Sequence, residues 1–82
     1  MRRLTMEVMI MQLEAGKTYL VTAQRKGTFM MRVTGQDDTW THGVVVGGKT
    51  NAMLDYNIKE VGDEVTCRTI FIQRAIEQPV AA

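Results

Sequence analysis

Residues 17–34 read KTYLVTAQRKGTFMMRVT and contain two short runs rich in β-branched and aromatic residues, separated by a turn that ends in glycine. Such residues favour β-strands, and the apolar positions recur with the two-residue period of a strand. We predict a hairpin in which residues 25–27 form the loop and Gly27 takes a left-handed conformation. This register pairs Ala23 with Phe29, Val21 with Met31, and Tyr19 with Val33, so that these apolar residues share one face.

Further strands are predicted on the C-terminal side of this hairpin. The turn GQDD, residues 35–38, leads into a strand over residues 39–46, which pairs Val33 with Trp40 and Met31 with His42. A fourth strand is predicted over residues 50–56, and a bulge at Gly43 would reconcile its apolar face with the others. Residues 57–64 form a connector with a short 3₁₀ turn, anchored by Ile58 and Val61. The fifth strand covers residues 64–73.

Five short strands joined by tight turns predict an all-β protein. At 82 residues, the simplest closure is a small five-stranded SH3-like barrel, or alternatively an OB-like barrel. We assign residues 13–73 to this barrel, residues 1–12 to an N-terminal extension or edge strand, and residues 74–82 to a flexible tail.

The N-terminal segment permits two interpretations. Four of the first eleven residues are methionine, so translation could begin at Met11. Alternatively, Leu4, Met6, Val8 and Ile10 alternate with other residues as in a strand. In that case we expect the segment to be an edge strand of the barrel or a contact between subunits.

Composition narrows the classes of function. The formal net charge is +1, which lacks the basic excess of proteins that bind DNA non-specifically. One cysteine, Cys67, excludes an internal disulfide, and Cys67 with the single histidine His42 cannot form a four-ligand zinc site. A chain this short has marginal stability as a monomer, so a homo-oligomer is expected. The free cysteine favours the cytoplasm, and no apolar run is long enough for a membrane helix.

Motifs of enzymes are absent from the sequence. GVVVGGKT, residues 43–50, fits the bare phosphate-loop pattern, but its strand-like valines do not open a helix as that loop requires. His42 with Asp37 or Asp38 could serve acid–base chemistry, although a packed or half-exposed side chain is the commoner role of a lone histidine. Cys67 is predicted to be a small buried apolar residue. We therefore expect no catalytic residue, cofactor or metal.

The second face of the predicted strands is also apolar. Leu20, Met30, Ile70 and Ile72 alternate with the core residues. Since a small barrel has one interior, an apolar exterior indicates a partner, here a second copy of the chain. The alternative is that curvature brings parts of both faces into the core.

Four residues are candidates for binding a ligand, namely Arg32, Trp40, His42 and Arg68. They lie on neighbouring predicted strands and supply cationic and stacking groups. The interior of such a barrel is filled by side chains, so we expect the pocket between subunits or on an outer strand face. The predicted registers do not place all four on one face.

The stretches KGTFMMRVTGQDDTWTHGVVVGG (26–48) and VGDEVTCRTIF (61–71) resemble small uncharacterised proteins of bacteriophages and other bacterial mobile elements. The resemblance covers roughly residues 12–72 and lies in the strand pattern and turn glycines. It implies a β-barrel accessory protein of a mobile element, and it assigns no site residues.

The sequence thus predicts a non-enzymatic, homo-oligomeric binding module that binds a host protein or a small anionic ligand. Two alternatives come from other classes of function. One is a nucleic-acid-binding β-barrel, which would stack bases on aromatic side chains beside basic ones. The other is an enzyme whose site forms only between subunits.

Overall fold

The computed structural model describes residues 11–51 and 58–79. Five strands and one 3₁₀ turn follow in the order β1 (Thr18–Ala23), β2 (Gly27–Gln36), β3 (Trp40–Gly48), β4 (Glu64–Arg68), η1 (Thr69–Phe71) and β5 (Ile72–Glu77). They form one antiparallel sheet in the order β4-β3-β2-β1-β5. The predicted all-β class is confirmed. No helix in the described parts of the chain is long and apolar enough to cross a membrane.

One face of the sheet, here called the inner face, carries the core. Alternate residues of β1, β2, β3 and β4 point into it, as the two-residue period requires. The core consists of Leu13, Tyr19, Val21, Ala23, Phe29, Met31, Val33, Val45, Val65, Cys67 and Ile72. The predicted grouping of Tyr19, Val21 and Ala23 with Phe29, Met31 and Val33 on one face is therefore correct.

The register of the β1–β2 hairpin differs from the prediction by two residues. Val21 lies opposite Phe29 and Ala23 lies opposite Gly27. The loop is residues 24–26, one residue earlier than predicted but of the same length, and the Lys26 amide donates to the Ala23 carbonyl across it at 3.2 Å. Gly27 has a φ of 82°, as predicted, and Arg25 has a φ of 72°. A shift of two residues leaves every side chain on the same face, so the apolar pattern could not detect it.

The pairing of β2 with β3 is also shifted, because β2 continues to Gln36, which pairs with Thr41, so the turn comes later than predicted. Two bulges also lie between these strands where none was predicted. Val33 pairs with Gly43 rather than Trp40, and Met31 pairs with Val45 rather than His42. The extra residues are Thr34 on β2 and Val46 on β3. Gly43 is not bulged, but a Cβ there would lie 2.6 Å from the Arg32 carbonyl oxygen, so this position needs glycine for close strand contact.

The C-terminal half corrects several predictions. Thr50 and Asn51 are not in a strand, and residues 52–56 of the predicted fourth strand lie outside the described residues. The predicted fifth strand is two strands, β4 and β5, separated by η1. The 3₁₀ turn therefore follows β4 instead of preceding it, and the predicted anchors Ile58 and Val61 are 43% and 62% exposed.

The chain ends of the domain also extend beyond the predicted boundaries. Residues 74–77, assigned to a flexible tail, belong to β5 and pair with β1. On the N-terminal side, Met11 packs against the core and Leu13 is part of it. The Gln36 side chain holds this segment, since its amide donates to the Met11 carbonyl and its oxygen accepts from the Leu13 amide, both at 2.9 Å. The predicted N-terminal strand, residues 4–10, lies outside the described residues.

GVVVGGKT is not a phosphate loop. Gly43–Gly48 of this segment belong to β3 and are paired with β2. An extended, paired backbone cannot turn its amides together toward a phosphate as that loop does. The prediction from the strand-like valines is confirmed.

Candidate functional site

The four residues predicted to bind a ligand all lie on the sheet face opposite the core, here called the outer face. Trp40 and Arg68 are directly paired on β3 and β4. His42 is the next residue of β3 on the same face, and it pairs with Thr66. Arg32 pairs with Val44, four residues from Trp40 along β3. At ~3.3 Å per residue, that separation is about 13 Å. The structure therefore brings Trp40, His42 and Arg68 together and places Arg32 at the other end.

Arg68 stacks against two aromatic rings. Its guanidinium carbon lies 5.7 Å from the centroid of the Trp40 ring and 5.7 Å from the centroid of the Phe71 ring. Trp40 is 41% exposed, so this contact is open to solvent. A cation within about 6 Å of a ring face is attracted by the ring quadrupole. The two rings therefore hold the guanidinium on the exposed outer face.

Arg25 adds a second guanidinium to the Phe71 ring. Its guanidinium carbon also lies 5.7 Å from the Phe71 centroid. The Gln24 amide donates to the Phe71 carbonyl at 2.9 Å, which joins the β1–β2 turn to η1. We call Arg25, Phe71, Arg68 and Trp40 together the arginine–aromatic ladder. A non-glycine residue with positive φ is uncommon and occurs often at functional sites, and Arg25 has a φ of 72°.

The loop before β3 fixes the position of Trp40. One oxygen of the Asp37 carboxylate accepts from the Trp40 amide at 2.7 Å and from the Thr39 amide at 2.8 Å. These two N–H groups hold the pKa of Asp37 below its ordinary value, with the Trp40 amide the larger cause. The Asp37 amide in turn donates to the Trp40 carbonyl at 2.9 Å. Trp40 therefore starts β3 from a closed, hydrogen-bonded turn.

A buried chain of hydroxyl groups fixes the position of η1. The Thr69 hydroxyl donates to the Asp37 carbonyl at 2.9 Å and lies 2.9 Å from the Thr41 hydroxyl. Since its one hydrogen is used by Asp37, Thr41 must donate to Thr69. The Gln36 amide then donates to Thr41 at 2.9 Å. This chain links the Trp40 loop to η1, which carries Phe71.

Sequence reasoning missed two members of the ladder as site residues. Arg25 was predicted only as part of the hairpin loop, and Phe71 was placed in an uninterrupted last strand. The signal for Arg25 was present, because the segment QRKG marks a tight turn at which a side chain can be held outward. Phe71 carried no such signal, because its position depends on contacts of η1 with distant residues.

His42 has no carboxylate partner within residues 11–51 and 58–79. Its Nδ1 lies 3.1 Å from the Thr66 hydroxyl across β3 and β4. The Asp37 carboxylate, its possible partner in acid–base chemistry, is already occupied by backbone amides. In this arrangement His42 continues the outer face beyond Trp40 as a hydrogen-bonded pair with Thr66.

Arg32 lies beside a separate depression. Its neighbours there include Lys17, Met30 and Glu77. The Lys17 ammonium forms salt bridges with Glu14 at 3.0 Å and with Glu77 at 3.2 Å, which raises the pKa of Lys17, the hydrogen bond to Glu14 being the first cause. This end of the outer face has carboxylates close to its cations, whereas no described carboxylate forms a salt bridge with Arg25 or Arg68.

The predicted buried role of Cys67 is confirmed. Its side chain is 1% exposed, and burial raises the pKa of its thiol. Nucleophilic chemistry requires the thiolate, so this cysteine belongs to the core. No group of three or more His, Cys, Asp or Glu side chains within the described ranges is arranged to hold a metal ion.

The apolar residues of the second face fall into two groups. Leu20 pairs with Met30 on β2 and with Ile76 on β5, and the three form an outward row across the sheet. Ile70 is 52% exposed, while Ile72 is 5% exposed and belongs to the core, against the prediction. Ile72, which was predicted on the second face, thus lies in the core. The homo-oligomer stays a prediction.

The chain matches no protein-family model, and no curated protein or solved structure is detectably similar to it. The resemblance to small proteins of bacteriophages therefore stays a prediction. Any assignment of function therefore rests on the geometry of this chain.

Proposed function

We propose that this chain is a non-enzymatic binding module that binds an anionic ligand through the arginine–aromatic ladder. The observation that carries the proposal is the position of Arg68, 5.7 Å from the ring centroids of both Trp40 and Phe71. A guanidinium held between rings loses less conformational freedom when it binds, so a larger part of the binding energy is retained. Its planar edge matches a phosphate or carboxylate group bidentately.

The chemistry of the ladder favours a ligand that is both anionic and flat. Two arginines flank one ring, Phe71, and supply two cationic groups within one short surface. Trp40 is 41% exposed and can stack on a flat ring of the ligand. Nucleotides carry both negative charge and a flat ring, whereas inorganic anions carry only the charge.

The strand order supports an SH3-like form of the predicted barrel as part of this proposal. Strands β1–β4 form a meander, and after η1 the last strand returns to the free side of β1. The 3₁₀ turn is thereby held between the last two strands, next to the loop that starts β3. This topology brings Phe71 beside Trp40, although the two are far apart in sequence.

Nuclear magnetic resonance titration with adenosine triphosphate tests the proposed function. We expect shifts of the Trp40 indole and of the Arg25 and Arg68 side chains. Arg68→Ala should weaken binding about tenfold or more, because a hydrogen bond to a charged group contributes about 1.5–3 kcal/mol.

Arg32→Ala is the matched control, because it removes the same charge from the same face but outside the ladder. It should leave the affinity nearly unchanged. Shifts around Arg32 and Lys17, or equal losses in the two variants, would contradict the proposal. Circular dichroism of both variants checks that the β-sheet is retained.

A further inference from the structure

We infer that the ligand of the arginine–aromatic ladder is single-stranded nucleic acid, an inference that rests on the proposed function. The ladder alternates cation and ring in three consecutive contacts, Arg25 to Phe71, Phe71 to Arg68, and Arg68 to Trp40, each of 5.7 Å. A polynucleotide strand alternates phosphate and base in the same way. Proteins that bind single strands combine basic groups along the backbone with rings on which bases stack.

The surroundings of the ladder favour a strand over a single nucleotide. Beyond Trp40 the outer face continues with His42 and Thr66, which are hydrogen-bonded to each other at 3.1 Å and carry no carboxylate. The next pair along these strands is Val44 with Glu64, whose carboxylate would repel a phosphate. The favourable track therefore runs from Arg25 to His42 and ends before Glu64. Such a track accommodates about four nucleotides, the low end of the range for a small β-barrel.

Duplex DNA fits this surface poorly. Its bases are stacked on each other and cannot stack on Trp40, whereas an unpaired strand offers every base. The net charge of +1 also gives little general attraction to a duplex backbone. Binding through the ladder would then depend on stacking and on two arginines, so its salt dependence should be weak.

The experiment uses the fluorescence of Trp40, the one tryptophan of the chain. The probe is an oligodeoxythymidylate of about twelve nucleotides, enough to span the ladder. We expect quenching of Trp40 and a slope of log K against log salt of about −1.4, at about 0.7 for each of two phosphate contacts. In Arg68→Ala the slope should become shallower, about −0.7, because one phosphate contact is lost. Arg32→Ala should keep the slope of the parent protein.

A labelled oligonucleotide measures the stacking contribution by anisotropy. Trp40→Ala should weaken binding about 5- to 150-fold, the range for loss of one stacked base. Trp40→Phe keeps a ring and should retain most of the affinity. Arg68→Lys keeps the charge but not the planar group, so its affinity should lie between those of the parent and Arg68→Ala.

Two further probes separate this inference from the proposed function. An abasic strand of the same length has the phosphates without the bases. Polyglutamate is an acidic chain that has neither phosphates nor bases. Quenching and tight binding by the oligodeoxythymidylate alone support the inference. Equal binding of the abasic strand or of polyglutamate, lost in Arg68→Ala, would overturn it but leave an anion-binding ladder intact. Failure of all three probes to bind would overturn the inference, and the titration with adenosine triphosphate would then decide the proposed function.

Discussion

The two faces of the sheet use the same strands for different purposes. On the inner face, Phe29 and Met31 are 1% and 0% exposed and pack among other apolar side chains. On the outer face, Trp40 is 41% exposed and its ring contacts the guanidinium of Arg68. Burial of apolar area provides most of the stability of a fold, whereas recognition needs groups that solvent can reach. Stability and ligand binding should therefore respond to different substitutions.

The largest expected effect is truncation of an inner aromatic side chain. Phe29→Ala should lower the free energy of unfolding by about 3–5 kcal/mol, because it removes a buried ring and leaves a cavity. Trp40→Ala on the outer face should cost about 1 kcal/mol or less, since it removes an exposed ring and one cation–π contact.

Denaturant unfolding followed by circular dichroism measures both variants, because the signal does not depend on the tryptophan. Similar losses for the two would mean that Trp40 is part of the packing. The ladder would then be a structural element, and the separation of the two faces would be wrong.

The inner face was predictable from the sequence because one local rule determines it. The two-residue period places Val21 with Phe29 and Met31 on one side both in the predicted register and in the observed one, which differ by two residues. The same insensitivity explains the wrong registers, since a shift of two residues changes no face. The apolar pattern therefore predicted the core residues, but it could not predict which of them lie opposite each other.

The outer site was only partly predictable, because long-range contacts assemble it. Trp40 and Arg68 were predicted from their chemistry, and they are directly paired. Phe71 was missed because EVTCRTIFIQ alternates without a break, so the sequence predicts one strand over residues 64–73. What breaks that strand is the hydrogen bond from Thr69 to the Asp37 carbonyl, 32 residues away. No local pattern encodes such a contact.

An intermediate effect is expected where the two faces are connected. Thr69 is buried, and its hydroxyl belongs to the chain that links the Trp40 loop to η1. Thr69→Val should cost about 1–3 kcal/mol, because it leaves buried polar groups without a partner. It should also weaken binding at the ladder, because Phe71 loses its support.

Thr69→Ser keeps the hydroxyl and should restore both stability and binding. Thr34→Val is the matched control, since Thr34 is exposed on the outer face. Unfolding by denaturant and anisotropy of a labelled oligonucleotide give the two readouts. Loss of stability with unchanged affinity would show that η1 positions Phe71 without this hydroxyl chain, and the connection between the faces would be refuted.

The smallest expected effect concerns Asp37 and pH. Backbone N–H groups of Trp40 and Thr39 hold the pKa of this carboxyl below its ordinary value, and the carboxyl is exposed. A group whose pKa is lower in the folded protein stabilises it fully above the unfolded value, about 3.9 for aspartate. That stabilisation is lost as the pH falls through the lower pKa of the folded state. The turn before Trp40 should thus stay closed at neutral pH and loosen in acid.

Trp40 fluorescence reports this loosening because Trp40 is the chain's one tryptophan. We expect a stable signal from neutral pH down to about pH 5 and a change below about pH 4, since protonation weakens both hydrogen bonds. Asp37→Asn keeps an oxygen acceptor that does not titrate, so its signal should lack the acid transition. Two control variants, Asp38→Asn and His42→Gln, remove the neighbouring titratable groups. Both should retain the acid transition of Trp40 fluorescence. An acid transition that persists in Asp37→Asn would assign the change to another carboxylate, and the turn would not be what holds Trp40 in the ladder.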